Sequence, residues 1–184
     1  EERIWSRAQP LLGDMHRFRP PRVRDVAHEF GIDEKIVRRV FRLAARRGEQ
    51  IAALATELAD AYAVRTLAIP TDVSRQENIA ALVARTVAEF GRVDILVNNA
   101  GLGLQGDVAD LNDATLRYLF DVNLFGVIRM TKAVLPTMRR QRAGRIANIS
   151  SVMGLIPAPF MALYSASKHA VEGMTKSAAL EAAS

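Results

Sequence analysis

The pattern of apolar and polar positions divides the chain near residue 48. Before this point, apolar residues recur at helical spacing in three short segments, which are separated by Pro20-Pro21 and Gly31. After it, helical patterns alternate with short apolar runs, as is typical of a parallel α/β sheet. The pattern therefore predicts two units, a helical segment over residues 1–48 and an α/β segment over residues 49–184.

The α/β segment is predicted to contain four helices and three strands. Amphipathic helical periodicity defines the helices, and apolar runs of about five or six residues define the strands. We expect helices near 49–61, 75–90, 113–138 and 164–180, and strands near 64–69, 93–97 and 145–149.

The helical segment has the layout of a helix-turn-helix, in which Ala27, Gly31 and Val37 occupy the small, turn and apolar positions. Residues 1–50 contain twelve Lys and Arg against eight Asp and Glu. Arginines that suit phosphate groups crowd the second helix: Arg38, Arg39, Arg42, Arg46 and Arg47. RNA or DNA is therefore an expected partner. A solvated arginine-rich face, or a helical cap without a ligand, explains the same charge equally well.

The stretch Pro20-Pro21-Arg22-Val23-Arg24-Asp25-Val26-Ala27 through Gly48-Glu49 also resembles a known module. It is similar to the C-terminal winged-helix modules of bacterial selenocysteine-specific elongation factors, over about fifty residues. The resemblance implies binding of a structured RNA hairpin. No β-hairpin pattern follows Gly48-Glu49, where the wing of such a module would stand.

The composition, with 49% hydrophobic and 24% charged residues, is typical of a soluble protein with a hydrophobic core. The sequence has no cysteine, which excludes disulfides and thiolate metal sites, and we predict no metal site. No run approaches the roughly 18 apolar residues of a membrane helix, and no basic-then-apolar signal opens the chain. We expect a cytoplasmic protein without a membrane partner.

Three polar motifs stand where predicted elements begin or end, and a fourth polar residue lies inside a predicted helix. Asn98-Asn99-Ala100-Gly101 follows a strand, Asn123 lies within the helix at 113–138, Ser150-Ser151 ends another strand, and Tyr164-Ser165-Ala166-Ser167-Lys168 opens the last helix. Tyr164 and Lys168 are four residues apart, so they share one helix face. An ammonium group beside a phenol favours the phenolate, which suits acid/base catalysis.

The positions of the other two polar residues are also informative. Ser151 stands at the carboxyl end of a strand, where ligands bind in open α/β sheets, and its hydroxyl can polarise a carbonyl. Asn123 interrupts an apolar helix, which predicts a buried amide with a hydrogen-bond partner.

These motifs, in this order and spacing, resemble the short-chain dehydrogenase/reductase family over about residues 42–181. The resemblance implies an α/β fold with an incomplete Rossmann-like three-layer parallel sheet, and an alcohol/ketone oxidoreductase activity. It implies that Tyr164 transfers the proton, Ser151 orients the substrate, Lys168 tunes Tyr164, and Asn123 holds a water that links to the lysine.

The same resemblance implies a nicotinamide cofactor. The residues that match the family's cofactor contacts are Arg46, Arg47, Asp72, Val73, Asn99, Ala100, Gly101, Tyr164 and Lys168. The two arginines suit a 2′-phosphate, so NADP is the expected cofactor. These arginines also lie on the predicted recognition helix. Whether residues 40–47 form a helix or a strand stays open, because one segment cannot be both.

The family begins with a strand and a Thr-Gly-x-x-x-Gly-x-Gly turn, whereas residues 1–43 contain only Gly13 and Gly31. We therefore expect the chain to be cut at both ends, without the first strand and the phosphate-binding turn. The strand at 64–69 is then expected to pair directly with that at 93–97. Cofactor binding and catalysis are expected to be impaired or absent.

Leu43-Ala-Ala-Arg-Arg-Gly-Glu49 is compatible with both resemblances, which predicts a chimera joined at this stretch. One function is an NADP-dependent oxidoreductase acting on a small hydrophobic alcohol or ketone. The alternatives are a nucleic-acid-binding helix-turn-helix fused to a non-catalytic α/β fragment, and a recombined scaffold without activity. The resemblance also implies a homodimer through the helices at 113–138 and 164–180.

Overall fold

The computed structural model describes residues 48–183. They form five α-helices and two β-strands, joined by loops and short 3₁₀ and π turns. In chain order these are α1 (Gly48–Tyr62), α2 (Gln76–Phe90), β1 (Ile95–Asn98), a 3₁₀ turn (Val108–Asp110), α3 (Asp113–Phe120), a π turn (Asp121–Phe125), α4 (Gly126–Gln141), β2 (Arg145–Asn148), a 3₁₀ turn (Val152–Gly154) and α5 (Ala162–Ala183). The predicted helix-turn-helix, with Arg46 and Arg47, lies outside the described residues, so the boundary at residue 48 stays a prediction.

The two strands form a parallel pair, with Ile95 opposite Arg145 and Asn98 opposite Asn148. A parallel pair needs a long crossover, which α3, the π turn and α4 supply. The end of α4 is fixed to the start of β1 because Gln141 Oε1 accepts from Val93 N at 2.9 Å and Gln141 Nε2 donates to Val93 O at 2.8 Å. This arrangement confirms an α/β fold with an incomplete Rossmann-like sheet.

The predicted strand at 64–69 is wrong: this segment forms no strand and does not pair with β1. A strand requires a neighbour for its backbone N–H and C=O groups, and the described residues supply none here. Side chains anchor the segment instead. Arg65 Nη2 donates to the Glu89 carbonyl at 2.6 Å, and Thr66 Oγ1 donates to the Ala55 carbonyl at 3.0 Å.

The core lies between one face of β1 and the helices α2 and α4. Its central residues are Ile79, Leu96, Met130, Val134 and Met138. Along β1, Leu96 and Asn98 are buried, whereas Ile95 and Val97 are 39% and 36% exposed. The alternation is that of a strand with one buried face and one partly exposed face.

The predicted helices are confirmed, with two local refinements. The helix expected at 113–138 extends to residue 141 and contains the π turn. Gly91 ends α2 with φ of 78°, a left-handed conformation that glycine adopts without strain, and its N–H donates to Val87 O at 2.8 Å. No helix among residues 48–183 is long and apolar enough to cross a membrane.

Candidate active site

Asn123 lies in the π turn that joins α3 to α4, and π turns of this kind often mark functional sites. Its side chain is fully buried, at 0% exposure. Oδ1 accepts from Leu102 N at 2.7 Å, and Nδ2 donates to Leu102 O at 2.9 Å. A single amide therefore ties the loop after β1 to the helix, and the predicted burial and hydrogen bonding of Asn123 are confirmed.

Lys168 lies on the first turns of α5, with its side chain directed toward β2. The residue is 6% exposed, and Nζ donates to the Ile149 carbonyl at 2.9 Å. Nζ is also 5.9 Å from the centroid of the Tyr164 ring, so the two side chains share one helix face as predicted. Burial lowers the pKa of Lys168 from its ordinary value of 10.5, because desolvation disfavours the charged form.

Ser151 begins the 3₁₀ turn that follows β2. Its Oγ accepts from Met153 N at 3.2 Å, which leaves the hydroxyl proton available to a ligand. The turn packs against α5. At Gly154 the approach is close, since a Cβ there would lie 2.7 Å from Ser150 Oγ and 3.1 Å from the Lys168 carbonyl oxygen. Glycine is therefore required to place the serine turn beside the helix that carries Tyr164 and Lys168.

Gly101 keeps the space beside Lys168 open. A Cβ at this position would lie 3.6 Å from Lys168 Nζ and 3.4 Å from Asn123 Oδ1. Lys168 Nζ and Asn123 Oδ1 thus lie beside the bare Cα of Gly101, a place that we call the niche. An ammonium donor and an amide oxygen are groups that hydroxyls, such as those of the ribose of a nicotinamide cofactor, can bind. The residues present at this part of the predicted cofactor site therefore fit the group.

The other predicted cofactor residues lie on either side of the end of β1. Val73 and Ala100 line one small cavity together with Asn98, Gly126 and Met130. Asn99 follows directly after β1, half-buried, between Asn98 and Ala100. Asp72 is exposed, and its Oδ1 accepts from Ser74 N at 2.9 Å and from Ser74 Oγ at 2.7 Å. These hydrogen bonds from Ser74 lower the pKa of Asp72, with a smaller contribution from the Arg75 guanidinium.

The structure thus gathers Gly101, Asn123, Tyr164 and Lys168 at one place, with the Ser151 turn against the same helix. It places Val73 and Ala100 together nearby. Arg46 and Arg47 lie outside the described residues, so their expected contact with a 2′-phosphate stays a prediction.

Sequence reasoning missed Ser167. Its side chain is 0% exposed and contacts Asn123, with Asn123 Nδ2 donating to Ser167 Oγ at 3.2 Å. One signal in the sequence could have identified Ser167. It is a small hydroxyl residue between Tyr164 and Lys168, on a helix that must pack against the polar Asn123.

Comparison with known proteins supports the same assignment. The profile of the short chain dehydrogenase family matches residues 32–184, and that of the winged helix domain of selenocysteine-specific elongation factor matches residues 1–57. The chain is 42% identical over 118 residues to 3-ketodihydrosphingosine reductase of Bacteroides thetaiotaomicron, which covers 64% of this chain and 43% of that protein. It is 46% identical over 110 residues to retinol dehydrogenase 8 of Homo sapiens, which covers 60% and 34% respectively.

A solved structure of actinorhodin polyketide ketoreductase with NADPH aligns with a TM-score of 0.72 and 42% identity, over 76% of this chain and 54% of that chain. The family profile covers well over half of the sequence. This chain belongs to the short-chain dehydrogenase family of oxidoreductases, and its first 57 residues resemble the winged helix domain. It spans less than half the length of the two curated relatives named above.

Proposed function

We propose that residues 48–183 carry the proton-transfer half of an NADP-dependent alcohol/ketone oxidoreductase site. The observation that carries this proposal is the placement of Lys168 Nζ, which is 2.9 Å from the Ile149 carbonyl and 5.9 Å from the Tyr164 ring centroid. A buried cation beside a phenol is the arrangement that general acid/base catalysis by tyrosine requires.

In the reducing direction, a substrate carbonyl accepts a hydrogen bond from the Ser151 hydroxyl and a proton from Tyr164. The positive charge of Lys168 stabilises the phenolate that remains after the proton has moved. Ser151 suits its role because its own lone pair is engaged by Met153 N, which orients the hydroxyl. A nicotinamide cofactor, when bound, would supply the hydride, and Gly101 and Lys168 would hold its ribose.

A hydrophobic alcohol or ketone is the proposed substrate. Two relatives are named for long apolar molecules of this class, a ketodihydrosphingosine and a retinol. In this chain, two apolar residues between Ser151 and Tyr164 in sequence, Val152 and Phe160, are exposed. The backbone of Phe160 is anchored because its carbonyl accepts from Gly106 N at 2.9 Å.

We further propose that the 184-residue chain binds NADP weakly and turns over slowly. The printed sequence has no Thr-Gly-x-x-x-Gly-x-Gly stretch to hold the pyrophosphate. Among the described residues, β1 also has no neighbouring strand on the side opposite β2.

Product formation tests the oxidoreductase proposal. The purified chain is incubated with NADPH and a panel of hydrophobic ketones, and the alcohols are measured by mass spectrometry. We expect slow product formation that Tyr164→Phe abolishes, because phenylalanine cannot donate a proton. The matched control is Ser165→Ala, since Ser165 Oγ is buried without a hydrogen-bond partner among the described residues. No product from the wild type, or equal product from Tyr164→Phe, would contradict the proposal.

A second proposed function is RNA binding by the first 57 residues, which the winged helix profile favours. Phosphate contacts release counterions, so affinity should fall steeply as salt rises. Fluorescence anisotropy with a labelled RNA hairpin measures this, and duplex DNA serves as the comparison. Binding that is unchanged between low and high salt would count against it.

We also propose a homodimer through the helices at 113–138 and 164–180. Tyr118, Phe125 and Ile128 are exposed apolar side chains at helical spacing on the first of these helices, which supports the proposal. Light scattering measures the mass in solution. A monomer at micromolar concentration would contradict it.

A further inference from the structure

We propose that Ser167 is a positioning residue that couples the Asn123 amide to the turn of α5 bearing Tyr164 and Lys168. The inference rests on the proposed function, because it assigns Ser167 a role in the same site.

The hydroxyl of Ser167 is bonded on both sides. It donates to the Tyr164 carbonyl at 2.7 Å and accepts from Asn123 Nδ2 at 3.2 Å. The side chain is completely buried, so no solvent competes for either bond. Ser167 is therefore the direct link between the π turn and the first turn of α5.

The same link completes the hydrogen bonding of Asn123. An amide side chain has two N–H donors, and Leu102 O accepts only one of them. Ser167 Oγ accepts the other, while Asn123 Oδ1 is engaged by Leu102 N. Without the Ser167 hydroxyl, a buried N–H would lack its partner, and of these three hydrogen bonds only the two to Leu102 would hold the Asn123 side chain.

The hydrogen bonds of Ser167 affect the placement of Lys168 in two ways. The Ser167 bond to the Tyr164 carbonyl restrains the helical turn from which both the phenol and the ammonium project. Asn123 in turn fixes the loop at Gly101, which forms the niche beside Lys168 Nζ. Loss of Ser167 Oγ should therefore loosen the Leu102 amide and the placement of Lys168 together.

Ser165 provides a matched control two residues away. It lies on the same helix and is also buried, but its Oγ makes no hydrogen bond among the described residues. Replacing Ser165 with alanine removes one buried hydroxyl, as Ser167→Ala does, and breaks no bond.

The experiment compares Ser167→Ala with Ser165→Ala by two readouts that need no cofactor or turnover. The first is hydrogen exchange at the Leu102 amide, and the second is the rate of Lys168 acetylation as a function of pH, followed by mass spectrometry. We expect Ser167→Ala to raise both rates about tenfold, after correction for global stability. Ser165→Ala should leave both rates within about twofold of the wild type.

Ser167→Thr keeps the hydroxyl, so both rates in this variant should lie close to those of the wild type. If the alanine variant does not fold, the threonine variant replaces it in the test. With the threonine variant, unchanged rates support the coupling. The proposal is overturned if Ser167→Ala leaves Leu102 exchange and Lys168 acetylation unchanged, if Ser165→Ala raises them equally, or if Ser167→Thr behaves as alanine. Neither readout involves NADP. A negative result in the product assay would therefore contradict the oxidoreductase proposal without deciding whether Ser167 positions Asn123 and Lys168.

Discussion

Gly101 illustrates how a single missing methyl group shapes the site. A Cβ on this residue would meet Asn123 Oδ1 at 3.4 Å and Lys168 Nζ at 3.6 Å, which are ordinary contact distances. The backbone at residue 101 can therefore accept alanine without a clash. The added methyl group would, however, fill the space beside the Lys168 ammonium. The Asn98-Asn99-Ala100-Gly101 motif alone predicted that Gly101 contacts the cofactor. The distances from Gly101 to Asn123 and Lys168 give a physical reason for a glycine at this position.

We predict that Gly101→Ala slows acetylation of Lys168 several-fold, because the methyl group screens Nζ. The free energy of unfolding should change by less than about 0.5 kcal/mol, as expected where no steric clash is created. Gly103→Ala is the control, since a Cβ there meets nothing within 4 Å. Equal acetylation rates in Gly101→Ala and the wild type would show that the niche does not control access to Lys168.

Lys168 should also make stability depend on pH. Its pKa is lowered in the folded protein by burial, below the 10.5 of the unfolded chain. The unfolded state therefore binds more protons between these two values, and stability rises with pH across that window. At lower pH both states are protonated, and the buried charge destabilises the fold.

The prediction is that the melting temperature of the wild type, relative to that of Lys168→Met, increases as the pH rises toward 10.5. Methionine retains the length of the side chain and removes the titrating group. Thermal unfolding of both proteins in matched buffers measures the difference. A difference that is constant, or that shrinks as pH rises, would mean that burial does not disfavour the charged lysine.

At the scale of elements, the helices were predictable because their determinants are local. Apolar periodicity was enough to place α1, α2, α4 and α5. The strand at 64–69 was predicted wrongly because pairing depends on a distant neighbour, which local β propensity does not report. The π turn around Asn123 escaped prediction for a related reason, since its polar residue finds its partners, Leu102 and Ser167, only in the folded chain.

Helix contacts give a second pair of matched glycine substitutions. A Cβ at Gly126, the first residue of α4, would lie 3.0 Å from Val73 Cγ2 and 3.3 Å from the Val73 carbonyl oxygen. At Gly173, inside α5, a Cβ meets nothing within 4 Å. The same chemical change should therefore have opposite effects on the two helices.

We expect Gly126→Ala to lower the free energy of unfolding by about 1 kcal/mol or more, because α4 must move away from the Val73 turn. Gly173→Ala should raise it by about 0.5–1 kcal/mol through helix propensity. Urea denaturation monitored by circular dichroism measures both. Changes of the same sign would contradict the close packing of α4 against residue 73.

At the scale of the whole molecule, the described residues bring the predicted acid/base residues together beside a two-stranded sheet. The four residues predicted to be catalytic were identified by the order and spacing of their motifs, and Ser151 also stands at the carboxyl end of a strand, where α/β folds place ligands. On β1, the apolar residues Ile95 and Val97 are 39% and 36% exposed, which is consistent with a sheet that is incomplete among the described residues. The substrate was not predictable in detail, because the residues that would enclose it are few among those described.

We propose that this chain retains the proton-transfer residues of a short-chain dehydrogenase but binds NADP weakly. Fluorescence titration of the purified 184-residue chain with NADPH measures this binding. We predict no saturation below about 1 mM, at the upper end of ordinary enzyme affinities. Saturable binding with a Kd in the micromolar range would contradict it.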